Sequence, residues 1–311
     1  MKTCTSISGG QSSAYIAAKY PTDYNVFALV TVRDKDCAPK DKGLIKLVSD
    51  KIGRDFIGTL EDDIIIHTIL DLEQHIGSKI DWVVGKHFED LRKTSVPNIM
   101  WRYCTELMKI KPMFKWWQEN FSEPIQMNIG FRAGEDKRAK NMLDRCNEDG
   151  LRAYNKVYWQ KPHFPMIEDN VHRDKVVNYW RGKDVRFAVQ NNCVGCFHRN
   201  PLTLRKMFDL HPEKMEWFIK EEIKNDDRFT LIENKSKEMA LGNIYKGIKL
   251  LNLNDDDIIA RLDGDDWFAR PNVLDILNKV YSENDCLMTY GSYIEYPSGL
   301  RGKFSVQVPE E

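Results

Sequence analysis

The chain has 311 residues, of which 42% are hydrophobic and 30% are charged. A chain of this length is expected to form about two domains and to bury an ordinary hydrophobic core without disulfide bonds. It carries 46 lysine and arginine residues against 47 aspartate and glutamate residues, and the net charge of -1 argues against non-specific binding of duplex nucleic acid.

The N-terminus and the cysteines indicate a compartment. The first ten residues contain no apolar segment of the signal-peptide type, and no run of about 18 apolar residues that would span a membrane occurs. Seven cysteines are an odd number for a disulfide framework, so reduced or metal-bound thiols are expected. We therefore expect a cytoplasmic protein without a membrane segment; the sequence leaves open whether it is a monomer or a homo-oligomer.

Short β-type runs alternate with helical patterns through the first two thirds of the chain. Strands are predicted at residues 2–7, 25–32 and 125–130, and helices at residues 12–19, 42–51, from about 135 and 213–224. The alternation predicts a Rossmann-like α/β fold, a doubly wound and mostly parallel sheet with helices on both faces. Ligand sites of such sheets lie at the carboxyl ends of the strands.

A change in composition near residue 225 predicts a domain boundary. The last of these helical patterns gives way to a polar break at residues 225–227 and then to a β-type run at residues 229–233. We therefore expect one domain at residues 1–225 and a second at residues 226–311.

The first predicted strand runs directly into a loop suited to a phosphate group. The loop consists of Ser8, Gly9, Gly10, Gln11, Ser12 and Ser13. Two glycines permit a tight turn close to a phosphate, and the helix N-terminus and the hydroxyl groups attract its oxygens. The alternative is an ordinary turn with a serine N-cap, because short Gly/Ser turns are common.

Charged residues near the ends of later elements are candidates for gripping an anion. Arg132 and Arg138 can hold a phosphate or sulfate as planar forks, and Lys109 can act as a point charge. Gly130 precedes the first arginine, and Glu135 is expected to orient it or to bind a ribose hydroxyl. A solvated charged face is the alternative, but a loop that follows a strand favours function for Arg132. Arg132 and Lys109 are the catalytic candidates.

A C-x-x-C motif is the second chemical signal. Cys193 and Cys196 are spaced to bind one metal ion, and Gly195 is expected to permit the turn between them. A complete zinc site or iron–sulfur cluster needs further ligands, for which His198 or, less favoured, Cys146 are available. A [4Fe-4S] cluster, a structural zinc ion and metal-free redox thiols remain three alternatives.

An apolar segment near residue 258 ends in clustered carboxylates and is predicted to be a strand. Asp263 and Asp265 at its end can bind a divalent cation such as Mg²⁺ or Mn²⁺ against a diphosphate. The alternative is an acidic solvated turn.

The motifs of the first 224 residues, in their order, resemble the phosphoadenosine phosphosulfate reductase-like family of the PP-loop superfamily. The loop is similar to the family's Ser-Gly-Gly-x-Asp-Ser pattern, in the variant with a hydroxyl residue at the fifth position, here Ser12. The segments that begin at Cys104, Ile129 and Pro165 are similar to its Cys-Thr, Gly-Ile-Arg and Pro-Ile blocks. The resemblance covers about residues 3–224 and implies a PP-loop (HUP-type) fold that binds an adenine nucleotide, ATP or phosphoadenosine phosphosulfate.

The resemblance also bears on the cysteine site. It implies that Cys104 is the third ligand beside Cys193 and Cys196, and it favours a [4Fe-4S] cluster over zinc. The family's reductases carry a Glu-Cys-Gly type motif near the C-terminus, whereas this chain ends in Gln-Val-Pro-Glu-Glu. Nucleotide binding is therefore expected more firmly than sulfate reduction.

Residues 228–304 resemble part of a family 2 glycosyltransferase of the GT-A type. Asp263 and Asp265 match the Asp-x-Asp pair with which that family binds a metal ion and a nucleotide-sugar diphosphate. The resemblance implies a small α/β GT-A-like fragment without the strand that holds the base and without the acceptor half.

Three functions follow from these motifs. The first is an enzyme of the PP-loop class that acts on an adenine nucleotide beside a thiol or metal site. The second is a non-catalytic nucleotide-binding or metal-binding fusion protein. The third, a metal-dependent glycosyltransferase, would use the C-terminal carboxylates.

Overall fold

The computed structural model describes residues 1–91, 97, 102–224, 230, 232, 234, 236, 239–251, 253–254, 256–262, 268, 272–284, 288–289 and 300. The chain divides into two compact units, residues 1–231 and residues 232–311.

A six-stranded sheet forms the centre of the first unit. Its strands are β1 (Thr3–Ile7), β2 (Tyr24–Leu29), β3 (Asp81–Val84), β4 (Ile125–Asn128), β5 (Arg152–Tyr154) and β6 (Val157–His163). They lie in the order β3-β2-β1-β4-β6-β5, and every neighbouring pair is parallel except β5 with β6. Asn155 and Lys156 join that antiparallel pair with positive φ angles, as a two-residue hairpin turn requires. The prediction of a mostly parallel α/β sheet is confirmed.

Helices connect the strands. They are α1 (Gln11–Lys19), α2 (Lys42–Ile52), α3 (Asp63–Ile76), α4 (Tyr103–Thr105), α5 (Lys111–Asn120), α6 (Asp136–Leu143), α7 (Pro165–Glu168), α8 (Arg173–Trp180), α9 (Pro201–Leu210) and α10 (Pro212–Lys224). Short 3₁₀ turns lie at Lys35–Cys37 and Phe88–Leu91, and a π-helical turn, Glu106–Ile110, runs into α5. None of the helices in the described part of the chain is long and apolar enough to cross a lipid bilayer.

The sheet buries apolar side chains on both faces. Ile7, Phe27 and Leu29 belong to a core cluster with residues of α1, α2, α3 and α8. Cys4 and Val26, which point to the opposite face, belong to a second cluster with aromatic residues of α5. Burial of each large apolar side chain stabilises the fold by about 1.5–3 kcal/mol. Because both faces of the sheet are buried in this way, the sheet binds a layer of helices on each side. This arrangement is compatible with a Rossmann-like fold.

The strand order determines where a ligand can enter. From β1 the sheet continues to β2 and β3 on one side and to β4 on the other. A reversal of this kind leaves a crevice outside the carboxyl ends of the two central strands. The loop after β1 and the loop after β4 therefore border the same crevice.

The described residues of the second unit form two helices, α11 (Ala240–Leu250) and α12 (Val273–Glu283), and none of those residues is buried. The strand expected near residue 258 is wrong for its described part, because residues 256–262 form no strand and Ile258 and Ile259 are 42% and 51% exposed. A strand needs a neighbour to satisfy its backbone groups, and no described residue of this unit lies in a strand. Asp263, Asp265 and most of the predicted run at residues 229–233 lie outside the described residues.

Candidate functional site

A cavity of about 850 Å³ opens at the carboxyl ends of β1 and β4. Its size is typical of a small-molecule site, about 300–1,000 Å³. It brings together three segments that the sequence analysis had selected separately. Of the predicted residues, its lining includes Ser8, Gly10, Gln11, Ser12, Ser13, Cys104, Lys109, Gly130, Arg132, Glu135, Arg138, Cys193, Cys196 and His198.

The loop after β1 is closed by its own serine side chains. The Ser13 hydroxyl accepts a hydrogen bond from the Ser8 amide at 3.1 Å and donates one to the Gly10 carbonyl at 3.0 Å. The two serine hydroxyl oxygens are also 3.1 Å apart. Ser13 is only 4% exposed, so its hydroxyl shapes the loop. The Ser12 hydroxyl takes no part in these loop bonds.

The two glycines of the loop have different roles. Gly9 has a φ of +73°, and a Cβ atom there would lie 2.6 Å from the Ile65 side chain. Gly9 does not line the cavity, in contrast to the other five loop residues. A Cβ atom on Gly10 would lie 2.7 Å from the amide of Asn191, which donates to the Ser8 hydroxyl at 3.3 Å. Gly10 therefore leaves room for a contact that the sequence analysis did not foresee.

Gly130 brings the loop after β4 against the loop after β1. A Cβ atom at this position would lie 3.1 Å from the backbone nitrogen of Ser13 and 3.2 Å from its Cα atom. The two backbones approach so closely that a larger residue would push them apart. The close approach brings the loop that carries Arg132 next to the loop after β1.

Glu135 holds the arginines of the β4 loop in place. Its Oε2 atom accepts from the Arg132 amide at 3.0 Å and from the Arg132 Nε atom at 3.1 Å, and its Oε1 atom accepts from Arg138. Burial alone would raise the pKa of Glu135, but these hydrogen bonds outweigh it and lower the pKa below its usual value. Arg138 also stacks over the ring of Phe131, 4.3 Å from its centre. Arg132 keeps its two terminal Nη groups without a hydrogen-bond partner among the described residues.

Lys109 lies on the π-helical turn and is paired with Glu61. Its Nζ atom is 2.8 Å from Oε1 of Glu61. The Glu61 side chain is fully buried, and its other oxygen accepts a hydrogen bond from the Val30 amide at 3.3 Å. Burial alone would lower the pKa of Lys109, but the Glu61 carboxylate raises it above its usual value. The lysine is therefore protonated, with its charge balanced by a residue for which the sequence had no motif. π-Helical turns occur often at functional sites.

The free thiols of Cys104, Cys193 and Cys196 line the cavity. Burial raises the pKa of Cys193, and the nearby Glu61 carboxylate raises it further. The Cys196 amide donates to the Cys193 carbonyl at 3.1 Å, which closes the turn of the C-x-x-C motif. A Cβ atom on Gly195 would lie 2.4 Å from the Phe218 ring, so this glycine makes room for an aromatic side chain.

The predicted metal ligands do not form an assembled site in the described structure. In the described parts of the chain, no group of three or more His, Cys, Asp or Glu side chains is placed to hold a metal ion. Partial burial and the neighbouring charges of Arg102 and Arg199 lower the pKa of His198, and the same charges would repel a cation. Cys146 does not line the cavity; its thiol contacts the Met142 carbonyl at 3.5 Å. The ligands are therefore not assembled, and no chemical step is assigned to a metal.

The charge of the cavity is strongly positive. Its basic lining residues are Arg102, Lys109, Arg132, Arg138, Arg173 and Arg199, whereas Glu135 is the one acidic residue among the described lining residues. A concentration of one sign of charge in a cleft attracts ligands of the other sign. Arg102, Arg173 and Arg199 were not selected from the sequence, because no motif distinguishes them from surface arginines.

The fold and the cavity together define a mixed α/β protein with an anion-attracting site at the carboxyl edge of its sheet. No family model matches the chain, and no solved structure matches it. An uncharacterized protein of Methanocaldococcus jannaschii is 30% identical to it over 93 residues. The matched segment is 29% of this chain and 19% of that protein, so the chain spans less than a fifth of the relative's length.

Proposed function

We propose that the first unit is a PP-loop domain of the sulfonucleotide reductase-like type that binds an adenine nucleotide. The phosphate groups would lie against the loop Ser8–Ser13, and Arg132 would hold the phosphate or sulfate that is transferred. The protein would act as an enzyme on that group, because an arginine fixed by Glu135 is already oriented to stabilise charge that develops there.

One observation carries this proposal. The loop after β1, the arginine loop after β4 and the C-x-x-C segment are far apart in the sequence, yet they line one cavity at the strand ends. Among the described lining residues, five arginines face the single carboxylate of Glu135, while Lys109 is balanced by Glu61. This excess of positive charge suits a ligand with several negative charges. The side chains of Val30, Ile129 and Phe131 add an apolar lining that suits a flat base.

A thermal-shift screen of the full chain tests the proposal. ATP, phosphoadenosine phosphosulfate and a UDP-sugar are added separately at millimolar concentration. A ligand present at 100 times its Kd stabilises a protein by about 2.7 kcal/mol, so either adenine nucleotide should raise the melting temperature by several degrees. No shift with the adenine nucleotides and a clear shift with the UDP-sugar would favour the glycosyltransferase function instead.

Arg132→Ala is the matching variant. Loss of hydrogen bonds to a charged group costs about 1.5–3 kcal/mol, so the affinity for ATP should fall by about tenfold or more. Arg205→Ala is the control, since Arg205 is an exposed residue of α9 that does not line the cavity. Equal ATP affinities of the two variants would show that Arg132 does not contribute to nucleotide binding.

A metal ion held by Cys104, Cys193 and Cys196 is the alternative role for these thiols, because all three line the same cavity. It requires the thiols to move together, since they are not placed to hold an ion in the described structure. Metal analysis of protein purified without oxygen tests it. If the protein contains stoichiometric iron or zinc and the Cys196→Ser variant does not, the metal site is established. If the protein contains no metal and still binds ATP, the three cysteines are free thiols.

A further inference from the structure

A second groove, of about 750 Å³, adjoins the cavity at the β4 loop. The two spaces share Arg132, Glu135 and Arg173. The outer groove continues along α8, where its lining adds His172, Asp174, Val177, Asn178 and Arg181. No motif of the sequence analysis pointed to this groove.

The side of α8 that faces the outer groove carries an arginine stripe. Arg173 and Val177 of α8 and Arg181, its C-cap, are four residues apart and therefore lie along one side of the helix. The other face is buried, with Val176 and Trp180 in the core. Val177 is 36% exposed and both arginines are exposed, so the stripe is open to a ligand.

The charges of the outer groove favour an anion. Glu135 is already held by Arg132 and Arg138, so its charge is offset. The remaining charges of the groove are the carboxylate of Asp174 and the guanidinium groups of Arg173 and Arg181. Among the described residues, neither arginine has an ion-pair partner. Arg173 begins α8 and Arg181 caps its C-terminus, so their Cα atoms are about 12 Å apart along the helix axis. This distance suits a ligand with more than one anionic group.

We propose that the outer groove binds a second substrate that carries several anionic groups, either phosphates or carboxylates. Its inner end would meet the nucleotide at Arg132 and Arg173, the arginines that line both spaces. The role as a second substrate rests on the proposed nucleotide in the first cavity, whereas anion binding along α8 does not.

The test is a titration of the full chain with inorganic tripolyphosphate and, separately, with citrate. It is followed by NMR of the Val177 methyl groups and is done with and without saturating ATP. Tripolyphosphate alone would identify a phosphate ligand, and citrate alone a carboxylate ligand. Arg181→Ala should weaken the binding by about tenfold or more, because it removes a charged hydrogen-bond donor of the groove only.

Lys175→Ala is the matched control. Lys175 lies on the same helix and is exposed, but it does not line the groove. Saturable binding to ATP-loaded protein that depends on Arg181 and not on Lys175 would support the proposal. A silent Val177 signal with both probes, or equal effects of the two variants, would overturn it. Arg181-dependent binding in a protein that does not bind ATP would instead refute the nucleotide proposal and leave the groove as an anion site.

Discussion

Glycine occurs twice in the loop after β1 for two separate physical reasons. Gly9 has a left-handed backbone and lies against Ile65, while Gly10 leaves space for Asn191. Only the first position combines a conformation unfavourable for other residues with a steric limit. The shape of the loop therefore depends on Gly9 even though Gly9 does not line the cavity.

Gly9→Ala should destabilise the protein more than Gly53→Ala. Both glycines have a positive φ, and a left-handed alanine costs about 1–2 kcal/mol. At Gly53 nothing lies within 4 Å of an added Cβ atom, whereas at Gly9 that atom would meet Ile65 at 2.6 Å, and overpacking costs about 1–3 kcal/mol more. Urea denaturation measures both free energies of unfolding. Equal losses would show that the Ile65 contact relaxes freely.

At the scale of elements, two charged contacts attach the cavity walls to α3. Arg186 precedes the segment that carries the C-x-x-C motif, and it binds Asp71 of α3 through Nε and Nη2, each at 2.8 Å. Lys214 of α10 donates to the Glu61 carbonyl at 2.7 Å and to Asp63 at 2.6 Å. These contacts hold the cysteine segment and the Glu61–Lys109 pair next to the sheet.

The contact between Asp71 and Arg186 should make stability depend on pH. Hydrogen bonds from Arg186 lower the pKa of Asp71 below its ordinary value of 3.8. The folded state then binds the proton more weakly than the unfolded state, so the contribution is complete above that value and is lost as the pH falls through the folded pKa. Asp71→Asn should cost about 1 kcal/mol at neutral pH, since Arg186 is half exposed.

Urea denaturation of wild type and Asp71→Asn between pH 7 and pH 3 measures the difference. It should stay constant down to about pH 5 and shrink below about pH 4. Asp209→Asn is the control, because its ion pair with Arg205 is exposed on both sides. A difference for Asp71→Asn that does not change with pH would show that the loss is not electrostatic.

Lys214→Met should destabilise the protein strongly. The Lys214 side chain is 5% exposed. Methionine retains its apolar stem but removes the ammonium group that donates to Asp63 and to the Glu61 carbonyl. Loss of one partner of a buried pair costs about 3 kcal/mol or more. Lys220→Met on the same helix removes an exposed partner of Glu216 and should change stability by at most about 0.5 kcal/mol. Similar melting temperatures for the two variants would contradict this role of Lys214.

At the scale of the whole molecule, the sequence was most informative where periodicity is local. The predicted strand at residues 2–7 and the helices at 12–19, 42–51 and 213–224 match β1, α1, α2 and α10 to within one or two residues. The strand at residues 25–32 ends three residues early, at Leu29. The elements that were not predicted include β3, β5, β6, α3, α5, α7, α8 and α9. Short or fully buried segments carry little periodic signal.

Parts of the site depend on contacts between distant residues. Asn191 reaches Ser8 across 183 residues, and Glu61 reaches Lys109 across 48. No local pattern specifies such pairs, because the fold alone brings them together. The glycine and serine loop after β1, Arg132 and the C-x-x-C motif could be selected from the sequence because each has its own local chemistry. Shared strand ends account for the meeting of the loops after β1 and β4. The C-x-x-C segment follows α8 and no strand, so its place in the cavity depends on contacts between distant residues.

Calorimetric titration of the full chain with ATP, at low and at physiological salt, tests the central claim most directly. We expect saturable binding at one site per chain that weakens as salt rises, because the cavity attracts the nucleotide through its basic residues. Arg132→Ala should lose this binding and Arg205→Ala should keep it. The absence of saturable binding at millimolar ATP, or binding that Arg132→Ala leaves intact, would contradict the claim.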